Sequence, residues 1–321
     1  MTDGVAASLD ADSLLDVYRT MVMSRRLDQR CMSLLREGVP IPHYHSGAGQ
    51  EALMVAAVAP LRREDTMIYT HRGYGHLLAK GVTMREVLLD MFMKAGGTNN
   101  GFGGVMHVCR PDLGVPGREG VFGTRFGIAA GMALAAKLRE SADVVLCFYG
   151  EAAGSRGALY EALNMAVLWD LPVVLVAENN GWSFSSRTDW LYPKGRMSRV
   201  WRGFDIPVAE IDGNDCDAVH GAVADAVALA RGGGGPSVIE ALTYRMDPHI
   251  WWDSADYQPA DEIALWRTRD PVSRARSRLA CLGVPGSVCD AVEAEADTIV
   301  EEAFAAVARA EAASWPDSQR E

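Results

Sequence analysis

The sequence predicts an α/β protein with a mostly parallel central sheet flanked by helices, and three observations carry that prediction. Two continuous apolar runs rich in branched residues, Val144 to Tyr149 and Val173 to Ala177, read as buried parallel strands. Between them Leu159, Ala162, Leu163, Ala166 and Val167 recur at helical spacing. Two further strand-like runs, Val208 to Ile211 and Ser237 to Leu242, bracket a helical stretch from Cys216 to Arg231. Such alternation builds a sheet covered by helices.

Taken in order, Leu14 to Glu37 reads as an amphipathic helix with Leu15, Tyr18, Met21 and Val22 on one face. A Gly- and His-rich turn, His43 to Gln50, leads into an Ala-rich helix. Met91 to Arg125 is thick with glycine and poor in periodicity, and a long loop of that kind favours a functional reading. Asn99-Asn100, which follows Gly96-Gly97 with no strand before it, reads as a turn. Gly150 to Gly157 is a tight small-residue turn, and the helix Ala158 to Trp169 is stopped by Asp170, Leu171 and Pro172. The two strands of this βαβ unit are expected side by side or nearly so. The run Gly232 to Gly235 ends the helix that starts at Cys216. Ser287 to Ala313 reads as a last amphipathic helix with Ser287 as its N-cap. With no repeat and no long linker, residues 1–321 are expected to form one domain with an N-terminal helical extension and a C-terminal helix.

The 321 residues are 49% hydrophobic and 23% charged, enough for a sizeable core. A formal net charge of -11 disfavours nucleic acid and anionic membrane as general partners. Six cysteines form no C-x-x-C pair and no zinc spacing, which suggests reduced thiols and a cytoplasmic protein. Met1 to Leu15 carries Asp3, Asp10 and Asp12 and no basic residue, so it does not read as a signal peptide. No apolar run is long enough for a bilayer.

Ligands of a parallel sheet bind beyond the carboxyl ends of its strands. Glu151 sits just past one such end and Asn180 just past the next, so both offer oxygen to a hard divalent cation at the same rim. The small residues Ala152, Ala153 and Gly154 let a phosphate approach the backbone, and the helix beginning near Gly157 is expected to aim its N-terminus at that rim. Alone, Glu151 is a helix-start charge and Asn179-Asn180 a turn; flanking one βαβ unit, they point to a metal–phosphate site. There is no G-x-x-x-x-G-K-[ST] loop and no G-x-G-x-x-G after a strand, so a general nucleotide-binding reading has no support.

The segment Tyr149-Gly150-Glu151-Ala152-Ala153, Asn164-Met165-Ala166, Leu171-Pro172-Val173 and Glu178-Asn179-Asn180-Gly181 resembles the thiamine diphosphate motif of the alpha subunits of pyruvate, acetoin and branched-chain 2-oxoacid dehydrogenases. The resemblance runs from about Leu14 to Ser277. It implies the thiamine-diphosphate-binding fold, with Mg2+ held by Glu151, Asn180 and the main-chain carbonyl of Trp182. It also implies cofactor contacts from His71 and Arg72 within Thr70 to His76, from Gly120 and Phe122 within Gly120 to Gly123, from Gly150, Glu151, Ala152 and Ala153, and from His249. Gly103 to His107 resembles another of the family's loops, Gly49 to Ala52 matches a segment near its substrate channel, and His45 matches a position facing that channel.

Three departures stand out. The family's Gly-Asp-Gly is here Gly150-Glu151-Ala152, with a longer acid and a methyl group where glycine allows close approach. Ser155-Arg156 replaces an Asn-Gln pair, leaving Arg156 either a phosphate contact or a solvated charge. After Tyr244-Arg245, Asp247 takes the place of the first of two histidines and His249 that of the second; Trp251 and Trp252 follow, as core or interface aromatics or as a reshaped channel mouth.

The implied activity is that of a subunit that decarboxylates a 2-oxo acid and transfers the acyl group, with a lipoyl-bearing acyltransferase as one acceptor the resemblance offers, the cofactor carrying the hard chemistry. His249 and His45 are the candidates for proton handling and carboxylate orientation, because histidine titrates near neutrality. The family takes its activating glutamate from a beta subunit, so an α2β2 heterotetramer is implied. An acyloin-forming carboligase subunit and a scaffold that binds no cofactor remain as alternatives.

Overall fold

A computed structural model describes residues 8–314; residues 1–7, which carry part of the acidic N-terminal reading, and residues 315–321 lie outside the described residues. The strands are β1 (Thr66–Ile68), β2 (Val145–Gly150), β3 (Val173–Asn179), the two-residue pair β4 (Trp182–Ser183) and β5 (Ser186–Arg187), β6 (Val208–Asp212) and β7 (Ser237–Leu242). Five of them form one parallel sheet in the order β1-β2-β3-β7-β6, while β4 and β5 pair antiparallel beside it.

The continuous apolar runs are explained by burial on both faces. Leu146, Phe148, Val174, Val176, Ile239 and Ala241 point into a core shared with the helices Ala11–Arg36, Cys216–Arg231 and Gly286–Ala308. Their alternates Val145, Cys147, Tyr149, Val173, Leu175 and Ala177 point into a second core under the helices Thr124–Leu138 and Gly157–Leu168. Each fully buried Phe148 or Leu175 contributes roughly 1.5–3 kcal/mol over an exposed one. The predicted neighbouring strands β2 and β3 pair directly, with Gly150 opposite Glu178.

Several boundaries differ from expectation. The first helix starts at Ala11, where the Asp10 side chain accepts the Ser13 N–H at 2.8 Å. The last helix begins at Gly286, directly after Pro285, which stands extended at its N-cap (φ −62°, ψ 143°), so Ser287 lies inside the helix and caps nothing. That helix ends at Ala308, and the following residues run back against the 93–95 segment, with Ala95 N–H to Glu311 O and Ala313 N–H to Met93 O both at 2.9 Å. The turn after β2 is itself one helical turn, Glu151–Gly154. Asn100 is a left-handed turn residue (φ 50°), and buried Asp90 gathers the N–H groups of Thr98, Asn99 and Gly101 into an ordered loop. The short strand β1 and the helices Tyr74–Ala79, Met84–Met91, Ala260–Arg267 and Pro271–Cys281 went unforeseen.

Candidate active site

The carboxyl ends of β2 and β3 open onto a cleft of about 150 Å3. The Thr70-His71-Arg72 segment, the 150–153 turn, Asn180, the β4 residues with Phe184, and His249 line it, joined by Phe122, Arg125 and Glu178.

Its floor is acidic. Glu151 is buried and its Oε1 accepts the Asn180 N–H at 2.5 Å, while its own carbonyl accepts Tyr192 Oη–H at 2.6 Å. Asn180 Oδ1 accepts the Trp182 N–H at 3.2 Å, a turn made possible by Gly181 at φ 85°. Burial, with the neighbouring Glu178 charge, pushes the Glu151 carboxyl up to about 8. Burial likewise pushes Glu178 up to about 7. His71 Nε2 belongs to a cleft residue and is buried without a hydrogen-bond partner, while Glu178 Oε1 lies 3.3 Å from His76 Nε2. An orphaned buried atom costs roughly 1–3 kcal/mol, so His71 Nε2 marks a place that receives a polar group.

The opposite wall is cationic. Buried Arg72 donates from Nη1 to Ser46 O (2.6 Å) and from Nη2 to His249 O (2.9 Å). Arg245 donates from Nη2 to Phe184 O (2.8 Å) and to Tyr257 Oη (2.9 Å). Both guanidiniums approach His249 Nδ1, at 3.3 and 3.4 Å. An atom facing two permanent donors must accept, so His249 keeps its proton on Nε2. His45 Nδ1 lies 2.6 Å from His249 O and must donate, leaving its Nε2 as the acceptor. Burial first, then the charge of Arg72, pulls His45 and His249 down to about 3 and His71 well below its ordinary value. Unperturbed histidine titrates near neutrality, and burial beside Arg72 holds these three below it, so in this setting they are neutral donors and acceptors. The nitrogens of His45, His71 and His249 converge within 4.8 Å. Two adjacent guanidiniums make that cluster a receiver of anions and a poor cation site.

Of the residues expected from sequence, His71, Arg72, Phe122, Gly150, Glu151, Ala152, Ala153, Asn180, Trp182 and His249 line the one cleft. His45 stands behind its wall, ring to ring with His71 and His249 at 4.5 and 4.9 Å. Gly120 is exposed and outside the lining. The helix N-terminus at the cleft is that of the 151–154 turn, not that near Gly157; Arg156 is exposed beside Gly123 and outside the lining. Ala152 sits in helical conformation, so its methyl group strains no backbone. Glu51 is buried against Arg25 and so serves the fold. Sequence reasoning missed Arg125 and Glu178. Arg125 is buried, donating to Phe148 O at 2.6 Å and to Glu119. Glu178 stood inside the quoted motif, and its acidic side chain at a strand end was the available signal.

Residues 18–315 match the family described as dehydrogenase E1 component. The chain is similar to the alpha subunit of an acetoin:2,6-dichlorophenolindophenol oxidoreductase of Bacillus subtilis, 37% identical over 79% of this chain and 77% of that protein. It is also similar to the subunit of that name from Cupriavidus necator, at 39% over 81% and 78%. The alpha subunit of the pyruvate dehydrogenase E1 component of Rhizobium meliloti is 33% identical over 86% and 80%.

Proposed function

The chain belongs to the dehydrogenase E1 component family, and from that premise we propose that its cleft anchors the diphosphate of thiamine diphosphate through Mg2+. It is an alpha-type E1 subunit, an oxidoreductase component of the kind that decarboxylates 2-oxo acids. The observation that carries the cofactor reading is the pairing of a buried acidic floor with a buried cationic wall in one cleft. Two buried carboxyls held above their ordinary range need a cation beside them to ionise together. Glu151, Asn180 and the Trp182 carbonyl would hold the metal, all oxygen donors as Mg2+ prefers. Gly150, Ala152 and Ala153 leave room at the backbone, and His71, Arg72 and His249 face an entering anion.

When bound, thiamine diphosphate supplies the carbon nucleophile and electron sink for decarboxylation. The chain's own residues bind and orient. Arg72 and Arg245 hold His249 with its Nε2 proton outward, able to donate to a substrate carboxylate or oxygen. His45 presents an Nε2 lone pair next to it, able to accept a proton. Phe122 and Phe184 exclude water from the mouth. An entering diphosphate would raise the histidines toward neutrality, because negative charge favours imidazolium.

The cleft is smaller than the roughly 300–1,000 Å3 of a complete small-molecule site. Val121 (68% exposed), Phe122, Phe184, Trp251 and Trp252 (62% exposed) leave an apolar surface at or next to its mouth. Both features support a half-site completed by a partner, a beta subunit in an α2β2 assembly. The relatives' name of subunit alpha agrees. The six free cysteines fit the reducing cytoplasm we propose as its setting, and no helix among the described residues is long and apolar enough to cross a membrane.

The test is calorimetric titration of thiamine diphosphate, with and without Mg2+, into the chain assembled with its beta-type partner. Metal-dependent binding should fall by more than the roughly 10–100-fold that follows the loss of a ligand's supporting hydrogen-bond partner when Glu151 itself is removed in Glu151→Ala. An assembled complex that binds no cofactor would sink the reading. The two acetoin-named relatives favour a second substrate reading, cleavage or formation of a small acyloin. A panel of short 2-oxo acids and acyloins assayed on the loaded complex separates the two.

A further inference from the structure

Behind the cationic wall lies a group of side chains that the cleft chemistry leaves unused. Asp28, on the first helix, is buried, and Asp247 approaches it from the turn that carries His249. Between them stands buried Ser46, whose Oγ is 2.6 Å from Asp28 Oδ2 and 2.5 Å from Asp247 Oδ2. The same oxygen accepts the Ala48 N–H at 3.2 Å. A serine hydroxyl has one proton to give and two lone pairs to accept with. One lone pair is taken by Ala48, and the one proton can serve only one carboxylate. The second short contact therefore needs a hydrogen that comes from the other carboxyl.

We propose that Asp28 and Asp247 hold one proton between them across the Ser46 hydroxyl, and that this proton fastens the His45 turn to the His249 turn and so positions Arg72. The geometry of those two turns supports the second half. Arg72 spans the same pair from the other side, through Ser46 O and His249 O. Loss of the proton would leave two carboxylates competing for one donor, and their repulsion would part the turns that Arg72 bridges. Tyr44 Oη–H and the Gly47 N–H already donate to Asp28 Oδ1, at 2.5 and 3.3 Å. Those donors favour the anion at Asp28, whereas burial favours the acid there, so the proton belongs to the pair. Burial and the Asp247 charge push Asp28 from 3.8 up to about 6. The other titratable and charged groups facing the pair are Glu51 with its partner Arg25, Tyr44, Tyr74, Cys31 and Arg72, together with Arg245 and His249 of the Asp247 turn. Asp247 is one of the departures from the resembled motif.

The proton is testable without any cofactor; its effect on Arg72 rests on the cleft reading above. Selective 13Cγ-aspartate labelling of the chain, followed by NMR from about pH 3 to about pH 8, reads the carboxyls directly. One carboxyl carbon should titrate well above the ordinary aspartate range. Asp247→Asn should return Asp28 toward the ordinary range, and Ser46→Ala, which keeps both carboxyls, should alter the coupled step. Two carboxyls that ionise together in the ordinary range would overturn the proposal. The second readout is Mg2+-dependent thiamine diphosphate affinity of the chain with its partner subunit. The ratio of wild-type to Asp247→Asn affinity should fall about tenfold as pH rises through the shared titration, a coupling of ordinary size. Glu151 ionises with the opposite effect on affinity, and the ratio cancels it. A constant ratio would refute the positioning role. A complex that binds no cofactor at any pH would instead refute the cleft reading, while the carboxyl spectra still decide the proton.

Discussion

Glu240 lies within β7 with no exposed surface, and its two oxygens take three N–H groups. Oε1 accepts Asn179 Nδ2 at 2.6 Å and Met197 N at 3.0 Å; Oε2 accepts Ser198 N at 2.6 Å. Glutamine has nearly the same shape but one acceptor and two donors in place of two acceptors. In the better orientation its oxygen keeps Asn179 and Met197, and its NH2 then faces the Ser198 N–H. One hydrogen bond to a charged group is lost, worth roughly 1.5–3 kcal/mol, and buried donors are left unpaired at roughly 1–3 kcal/mol. Removing a buried charge works the other way and restores part of that. Glu240→Gln should therefore lower stability by roughly 2–4 kcal/mol, which moves the melting midpoint down by about 3–6 °C. Calorimetry and urea unfolding measure it. The loss should also reach the cleft, because Asn179 precedes Asn180 and the chain from Tyr192, which donates to Glu151 O, runs directly into Met197 and Ser198. Metal-dependent cofactor affinity should weaken several-fold, about 1 kcal/mol. An unchanged midpoint would refute the acceptor count, since glutamine can replace glutamate freely only if one oxygen already donates.

Three further outcomes follow from single residues. His76 is fully buried against Phe148 and within 3.3 Å of Glu178, and burial pulls it down to about 3. A base kept neutral in the fold contributes stability that is complete above its unfolded value of 6.5 and is lost as pH falls toward about 3. In the middle of that window the slope approaches about 1.4 kcal/mol per pH unit, so wild type should lose roughly 2 °C more than His76→Gln between about pH 6 and pH 5; parallel melting curves would contradict this. Ala152→Gly, which reinstates the glycine of the resembled motif, should cost about 0.5–1 kcal/mol of stability without tightening cofactor binding, because the position is helical; a gain in affinity would show that the methyl group crowds the phosphate. Trp252→Ser should leave the melting midpoint within about 1 °C, as expected for an exposed side chain, yet weaken association with the beta partner in sedimentation; unaltered assembly would remove Trp252 from the interface.

The local chemistry was legible in the sequence wherever neighbours in the chain are neighbours in space. The runs that became β2 and β3, the acid after one and the asparagine after the other lie within one βαβ unit, so strand geometry alone brings Glu151 and Asn180 to one rim. Hydrophobic run, turn residues and helical spacing likewise marked Cys216–Arg231 and Ser237–Leu242 at the boundaries observed. β1 escaped notice because three residues carry no period, and Ser287 reads as a cap in sequence although the helix starts one residue earlier, at Gly286 after the extended Pro285.

What only the tertiary structure decided is the company each charged group keeps. Arg72 lies far along the chain from the turn that carries Arg245 and His249, and their mutual distances determine which imidazole nitrogen holds the proton. Burial, invisible in composition, moves the histidines away from neutrality and Glu151 and Glu178 toward it. Asp28 and Asp247 are separated by most of the sequence, and no spacing rule links them to one serine hydroxyl. Periodicity and turn chemistry act over a few residues, whereas desolvation and hydrogen-bond counting depend on which surfaces the fold presses together.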